Sequence, residues 1–128
     1  MSSPETDAAP YHAHIYYPAA ERGRAVALRE TLSKAPGVLF VGSLRDAAVG
    51  PHLIPQFEIH FPESALGGLM RLIEASGLTA LLHPLTDDDV ADHTTLGQWI
   101  GAPVELDLSV LDPPGVNQGI ARFGVTDF

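Results

Sequence analysis

The order in which the hydrophobic period changes along the chain restricts its fold more than any other feature. Four segments alternate with a period of two or form short apolar runs, at 11–17, 38–41, 56–61 and 78–83. Two further segments have the spacing of amphipathic helices, at 21–35 and 62–77. The order β-α-β-β-α-β predicts an α+β domain of the ferredoxin-like split βαβ type, with both helices on one face of an antiparallel sheet.

The rest of the chain divides into a tail, an extension of the domain and an arm. Residues 1–10 are polar and lack the basic and apolar regions of a signal peptide, so a disordered tail is expected. After the fourth strand we expect a short helical stretch to about Ile100, and the apolar run 104–111 is expected to add a fifth, edge strand. Residues 11–111 are thus predicted to form the domain. Residues 112–128 contain two Pro and three Gly, and an irregular arm is expected there.

Composition excludes several functional classes. Among 128 residues, 16 are acidic and 7 are Lys or Arg, which gives a net charge of −9. This charge argues against binding to nucleic acid or to an anionic membrane surface. No apolar run approaches the ~20 residues of a membrane span. Cysteine is absent, which excludes disulfides and thiolate chemistry. Because residues 1–10 do not resemble a signal peptide, the cytoplasm is the expected compartment.

Alternation within the strands assigns their side chains to two faces of the sheet. The face expected under the helices is apolar and comprises Tyr11, Ala13, Ile15, Tyr17, Phe57, Ile59, Phe61, Ala80 and Leu82. The open face is expected to be mostly polar and comprises His12, His14, Tyr16, Gln56, Glu58, His60, Leu81 and His83. The histidines of three strands are therefore predicted to share one side of the sheet.

Strand direction brings these histidines together. In the split βαβ topology the first strand is central and antiparallel to the third and fourth, so His12 is expected beside His60 and His83. His14 lies one pleat further on, near Glu58. Neighbouring strands are about 4.8 Å apart, and imidazoles at such positions can converge on one ion. The expected ligands of a non-haem iron or zinc ion are His12, His14 and His83, with Glu58 as the carboxylate or an all-histidine site as the alternative.

Other residues have competing interpretations. The histidine pair of the first strand could instead belong to a solvated sheet face. His60 lies on the same face of the predicted sheet, next to the core residue Phe61. It is expected at the sheet edge, where it does not bind the ion. His93 follows Asp92, which could orient the imidazole for acid–base work or could be a helix N-cap beside a surface histidine. His52 lies near the tip of the long loop before the third strand.

Three segments resemble the DOPA 4,5-dioxygenase family: YHAHIY at 11–16, VGPH at 49–52, and the block from His83 through His93 to Gly101. The resemblance covers roughly residues 10 to 111. It implies extradiol ring opening of a catechol with O2 on one metal ion, normally iron(II), by a small ferredoxin-like protein that is commonly dimeric. Its histidines correspond by position to His12, His14, His52, His83 and His93, whereas His60 has no counterpart.

On this resemblance we expect an iron(II)-dependent enzyme that opens L-DOPA or a related catechol, with cleavage at the 4,5 bond favoured. Zinc or nickel acquired in purification could occupy the same ligands. His52 and His93 are the expected acid–base or substrate-orienting residues. Tyr16 and Arg45 are expected as weaker substrate contacts.

Two alternatives of other classes remain open at this point. One is a metal-binding or small-molecule-binding module without turnover, and the other is a metal-free dimeric monooxygenase. The expected partners are a small catechol and a second copy of the chain, in a homodimer formed through the open sheet face or the C-terminal strand. Neither nucleic acid nor a membrane is an expected partner.

Overall fold

A five-stranded antiparallel sheet forms the centre of the computed structural model, which describes residues 8–127. The strand order is β2-β3-β1-β4-β5, with β1 in the middle. The strands are β1 Pro10–Tyr16, β2 Phe40–Val41, β3 Gln56–Pro62, β4 Thr79–Pro84 and β5 Gln98–Ile100. This architecture confirms the predicted ferredoxin-like α+β fold.

Two long helices and two short ones complete the fold: α1 Arg22–Ser33, α2 Leu66–Ser76, α3 Asp89–His93 and α4 Gln118–Arg122. A 3₁₀ turn precedes each long helix, at Ala19–Glu21 and Glu63–Ala65. Gly77 caps the C-terminus of α2: its φ of +77° is left-handed, and its N–H donates to the Glu74 carbonyl. Within residues 8–127, no helix combines the length and apolar character that a bilayer crossing requires.

The core lies between the long helices and one face of the sheet. The apolar stripes of the helices contribute their buried residues, which are Ala25, Leu28, Leu32, Leu69 and Ile73. They pack against strand residues of the predicted inner face: Ala13, Ile15, Tyr17, Phe57, Ile59, Phe61, Ala80 and Leu82. The division of the strands into two faces is therefore confirmed.

The register of β1 against its two neighbours is also as expected. His12 lies opposite His60 on β3 and opposite His83 on β4. His14 lies opposite Glu58 on β3. Antiparallel pairing thus brings the polar side chains of three strands to one area of the sheet.

The end of the domain differs from the prediction. Helix α3 ends at His93, and the fifth strand is Gln98–Ile100, paired with β4, so both the helical stretch to Ile100 and the strand at 104–111 are wrong. Residues 104–111 form a single bridge, Leu106 to His52, and a 3₁₀ turn, Leu108–Val110. The Asp107 carboxylate accepts a hydrogen bond from the Ser109 N–H and caps this turn, while β5 occupies the sheet edge.

The start of the domain shows smaller differences. Strand β1 begins at Pro10, one residue before the predicted boundary, and the Ala9 carbonyl accepts a hydrogen bond from the Glu63 N–H. Residues 1–7 of the predicted tail lie outside the described residues.

The arm folds back over the polar face of the sheet. Phe123 stacks on the rings of His12 and His60, with centroids 6.3 and 5.7 Å away. Asp127 accepts hydrogen bonds from Arg45 and from the Ser43 N–H. The face expected to be open for dimerisation is therefore covered by the chain itself.

Candidate metal centre

All six histidines of the chain lie on the polar side of the sheet and are buried. None is more than 7% exposed, and their rings form a continuous set of stacked, tilted and edge-to-face contacts, comprising His12, His14, His52, His60, His83 and His93. Clustered imidazoles shielded from water are not a solvated sheet face. That interpretation of the histidine pair in β1 is therefore wrong.

The hydrogen bonds made by the Nδ1 atoms define the tautomers of two facing imidazoles, those of His83 and His14. The Nδ1 of His83 donates to the Pro84 carbonyl at 2.8 Å, so its Nε2 carries the lone pair. The Nδ1 of His14 lies 3.2 Å from the Gln56 Oε1, which accepts, so its Nε2 carries a lone pair as well. The two Nε2 atoms are 2.9 Å apart. Two lone pairs facing each other repel, and a shared cation would remove this repulsion.

This separation fits two ligands of one ion. Imidazole nitrogens bind transition metals at about 2.1 Å, so two at right angles around an ion lie about 3 Å apart. The nearest nitrogens of His12, His14 and His83 lie within 4.8 Å of one another. These are the three predicted histidine ligands, and the structure brings them together.

Two further polar atoms of the cluster, one on His12 and one on Glu58, are unsatisfied among the described residues. The Nε2 of His12 and the Oε1 of Glu58 are buried and have no hydrogen bond within the part of the chain that the structure describes. A buried polar atom left unsatisfied costs about 1–3 kcal/mol, so a bound ligand would compensate for it. Nitrogen and carboxylate donors suit iron(II) and zinc. The predicted residues therefore fit a metal ion.

His60 holds the carboxylate. Its Nδ1 accepts a hydrogen bond from the Gly124 N–H at 2.8 Å, so its Nε2 carries the proton and donates to the Glu58 Oε2 at 2.5 Å. His60 is fully buried and paired between β1 and β2, so its expected place at the sheet edge is wrong. Both of its nitrogens are engaged, and its exclusion from the metal ligands stays a prediction.

Burial also sets the protonation of the cluster. Desolvation, followed by repulsion from the neighbouring imidazoles, lowers the pKa of His12, His14 and His83 well below the ordinary value of histidine. The same causes lower the pKa of His52 to about 3. These four imidazoles are neutral at pH 7, which is the form that binds metal ions.

His93 is oriented by Asp89. Its Nδ1 donates to the Asp89 carbonyl at 2.8 Å and lies 3.4 Å from the Asp89 Oδ1. The adjacent Asp92 points elsewhere and accepts hydrogen bonds from the N–H and the hydroxyl of Thr86. The N-cap of α3 is Asp88, which accepts from the Ala91 N–H. Both interpretations of Asp92 are therefore wrong.

His52 is held in place by Tyr16 and by packing on His14. The Tyr16 hydroxyl and the His52 Nδ1 are 2.7 Å apart, and the imidazole of His52 packs on that of His14 at 4.0 Å. Tyr16 is 1% exposed and stacks on Trp99. Tyr16 therefore contacts a histidine of the cluster, and its expected contact with a substrate stays a prediction.

A cavity of about 250 Å³ opens onto the cluster. Its floor includes four histidines and the carboxylate, namely His12, His14, His83, His93 and Glu58. Its walls come from the loop at 50–51, residues 110–112 and, in the arm, residues 117–119 and 122. Neither His52 nor the two expected substrate contacts, Tyr16 and Arg45, line it. Its size suits a small ligand.

Sequence reasoning missed the part of the site that the arm supplies. Helix α4 approaches closely at Gly119, where a Cβ atom would lie 3.7 Å from the His12 Cε1. Arg122 lines the cavity and is the one cation of segment 112–128. That lone cation and the glycine three residues before it are the signals from which the arm's role could have been suspected.

Comparison with known proteins agrees with this geometry. The family model described as the Dopa 4,5-dioxygenase family matches residues 11–110. The chain is 29% identical over 111 residues to the DOPA 4,5-dioxygenase of Amanita muscaria, a match that covers 79% of this chain and 49% of the relative, so the chain spans about half the relative's length. A crystal structure of a candidate dioxygenase from Nostoc punctiforme is similar with a TM-score of 0.76 and 30% identity, over 85% of this chain and 96% of that one. Because the family model matches most of its length, the chain belongs to the Dopa 4,5-dioxygenase family.

Proposed function

We propose that this protein is an iron(II)-dependent extradiol dioxygenase, which opens the ring of L-DOPA or a related catechol with O2 and favours the 4,5 bond. The observation that carries this proposal is the pair of facing Nε2 lone pairs of His14 and His83 on the floor of a small cavity. Family membership and the name of the fungal relative support the class of reaction and of substrate.

The residues that would hold the metal are His12, His14 and His83. Glu58 joins them if the site is of the two-histidine-one-carboxylate type, with His60 holding the carboxylate in place. Iron(II) bound there would supply the Lewis acidity and redox chemistry that dioxygen and a catechol require. Zinc or nickel would be held by the same donors.

The chain's own acid–base groups lie beside these ligands. His93 lines the cavity, and its Nε2 carries the lone pair because its Nδ1 donates to the Asp89 carbonyl. It would take the proton of a catechol hydroxyl as general base. His52 does not line the cavity, but one of its nitrogens lies within 4.8 Å of nitrogens of His14 and His93, which do. It would exchange protons with these two imidazoles.

The arm and the walls would exclude bulk water from the reaction. Phe123 covers the rings of His12 and His60, and residues 110–112 close one side of the cavity. Exclusion of water strengthens the electrostatic interactions of the site and protects reactive species from side reactions.

The first experiment mixes iron-reconstituted protein with L-DOPA in air and follows the visible absorbance. We expect a yellow chromophore that needs both iron and O2, and its spectrum separates 4,5 from 2,3 opening. His12→Ala should bind no iron and form no product, whereas His60→Ala should retain iron. Bound iron without turnover of any catechol would favour a binding module, and turnover in the presence of chelator would favour the metal-free enzyme.

We also propose that the protein is a homodimer. Because the arm covers the polar sheet face, the interface would use another surface than that face. Light scattering on the purified protein measures the mass directly, and the mass of a single chain at micromolar concentration would refute the dimer.

A further inference from the structure

The Glu58 carboxylate is held through one of its two oxygens. Its Oε2 accepts a hydrogen bond from the His60 Nε2, whereas its Oε1 is buried and has no hydrogen bond among the described residues. A hydrogen bond to one oxygen limits the rotation of a carboxylate, so the position of the Oε1 depends on the position of the His60 ring. The contacts that hold His60 therefore also determine where Glu58 offers its second oxygen.

The arm holds the His60 ring at its face and at its edge. Phe123 stacks on the ring with an interplanar angle of 13°, and the Gly124 N–H donates to the Nδ1 at 2.8 Å. The hydrogen bond from Gly124 needs the lone pair of the Nδ1, so the ring proton stays on the Nε2 that faces Glu58. Two successive residues of the arm thus fix both the plane and the tautomer of His60.

A turn connects Gly124 to the last described residues. The N–H groups of Val125 and Thr126 donate to the Arg122 carbonyl at 3.0 and 3.1 Å. Gly124 lies inside this turn with a φ of +74°, a left-handed value that favours glycine. Because the turn is closed by its own hydrogen bonds, the position of Asp127 is transmitted to Gly124.

Asp127 joins this turn to the loop that follows β2. Its Oδ1 accepts a hydrogen bond from the Arg45 Nη2 at 2.8 Å, and its Oδ2 accepts one from the Ser43 N–H at 3.1 Å. Gly42 leaves the space for this carboxylate, since a Cβ atom there would clash with it. The Asp127 side chain is only 12% exposed, so water replaces these contacts poorly when they are lost.

We propose that Asp127 is a positioning residue of the metal centre. By holding Gly124 against His60, it fixes the orientation of the Glu58 carboxylate. This inference rests on the proposed function, with Glu58 as a ligand of the ion. Partners that orient a ligand without touching the ion typically change metal affinity or activity by about 10- to 100-fold. Asp127 lies beyond residues 11–110, so the part of the chain that the family model matches does not include it.

The test compares Asp127→Ala with the control Asp46→Ala. Each change removes an aspartate that pairs with an arginine, but Asp46 pairs with Arg22 and accepts from Tyr17 on the other side of the sheet. Two quantities are measured. One is the Kd of zinc, by competition with a chelator, and the other is the set of 15N chemical shifts of the histidine rings in the metal-free protein.

For Asp127→Ala we expect the zinc Kd to rise by about 10- to 100-fold, because Glu58 is no longer held for the ion. The Nδ1 resonance of His60 should shift, because its hydrogen bond from Gly124 is lost. The Nδ1 resonance of His83, whose partner lies outside the arm, should not move. The control variant should match the wild type in both quantities even though it loses an ion pair.

A second background shows whether the effect passes through Glu58. In Glu58→Gln, we expect Asp127→Ala to change the zinc Kd by less than about twofold, because the ligand that Asp127 positions is already lost. An equal rise in both backgrounds would mean that Asp127 acts on the whole cluster, and it would overturn the proposed role. An unchanged zinc Kd or an unmoved His60 resonance in the single variant would overturn it as well.

If Asp127→Ala does not fold, Asp127→Asn replaces it. Asparagine keeps an oxygen for the Ser43 N–H and loses the ion pair with Arg45. We then expect a smaller rise of the zinc Kd, again confined to the background that retains Glu58, and the absence of any rise would refute the role of Asp127. Both measurements are made without turnover. They therefore still decide the role of Asp127 if the iron-loaded wild type opens no catechol and the proposed function fails.

Discussion

Tyr16→Phe removes one hydroxyl and tests how His52 is held. The Tyr16 side chain is 1% exposed, and its hydroxyl lies 2.7 Å from the His52 Nδ1. Phenylalanine fills nearly the same volume, so the change deletes a buried hydrogen bond with little change in packing. The loss leaves a nitrogen of His52 without its partner in the interior, and we expect a cost of about 2 kcal/mol in the free energy of unfolding.

Tyr17→Phe, directly after the end of β1, is the matched control. The Tyr17 hydroxyl donates to Asp46 at the same distance of 2.7 Å, but on the other side of the sheet. The Asp46 side chain is 56% exposed and also pairs with Arg22. Water can replace the lost hydroxyl there, so we expect a cost below about 1 kcal/mol and unchanged kinetics.

Urea unfolding of the metal-free variants gives the two costs, and iron analysis with steady-state kinetics gives the functional effect. We expect Tyr16→Phe to retain its iron and its KM for L-DOPA while kcat falls about tenfold or more, because His52 loses its orientation. Equal stability of the two variants would refute the argument from the buried hydrogen bond. A higher KM with unchanged kcat would instead make Tyr16 a substrate contact.

Three further predictions concern the metal, the base and the core. Zinc at 100 times its Kd should stabilise the wild type by about 2.7 kcal/mol and so raise its Tm. His83→Ala should abolish this rise in Tm, and His60→Ala should keep it. A rise retained in His83→Ala would contradict the proposed ligand set. His93→Ala should retain iron and lower kcat about 10²- to 10⁴-fold, whereas loss of iron would make His93 a ligand. Phe57→Ala should cost about 3–5 kcal/mol in urea unfolding because its ring is fully buried in the core, and a cost under about 1 kcal/mol would show that the core is misassigned.

The metal-binding face could be predicted because it depends on regular backbone geometry. Alternation along a strand follows from the pleat, and the antiparallel register follows from the order of elements. These two regularities were sufficient to place His12 beside His60 and His83, and His14 beside Glu58. The proton positions within the cluster needed the partners of each Nδ1 atom, which no local pattern contains.

The parts that sequence reasoning missed depend on irregular segments. The run at 104–111 is apolar enough for a strand, but the carboxylate of Asp107 stabilises a turn there. The partner of His93 is the carbonyl of Asp89, four residues earlier on α3, and that spacing acquires meaning only once the bounds of the helix are known. The arm has no hydrophobic period, so its packing against His12 could not be inferred.

The central place of β1 has a consequence for the kinetics of folding. The strand that carries His12 and His14 is synthesised early, whereas its partners β3 and β4 begin only at Gln56 and Thr79. Pairings between residues so far apart in the chain form slowly, because the intervening loop must close first. A nascent chain that ends before β4 therefore contains His12 and His14 and lacks His83, the third proposed histidine ligand. Uptake of zinc during refolding would report the closing of the whole sheet, and it should follow the appearance of helical circular dichroism.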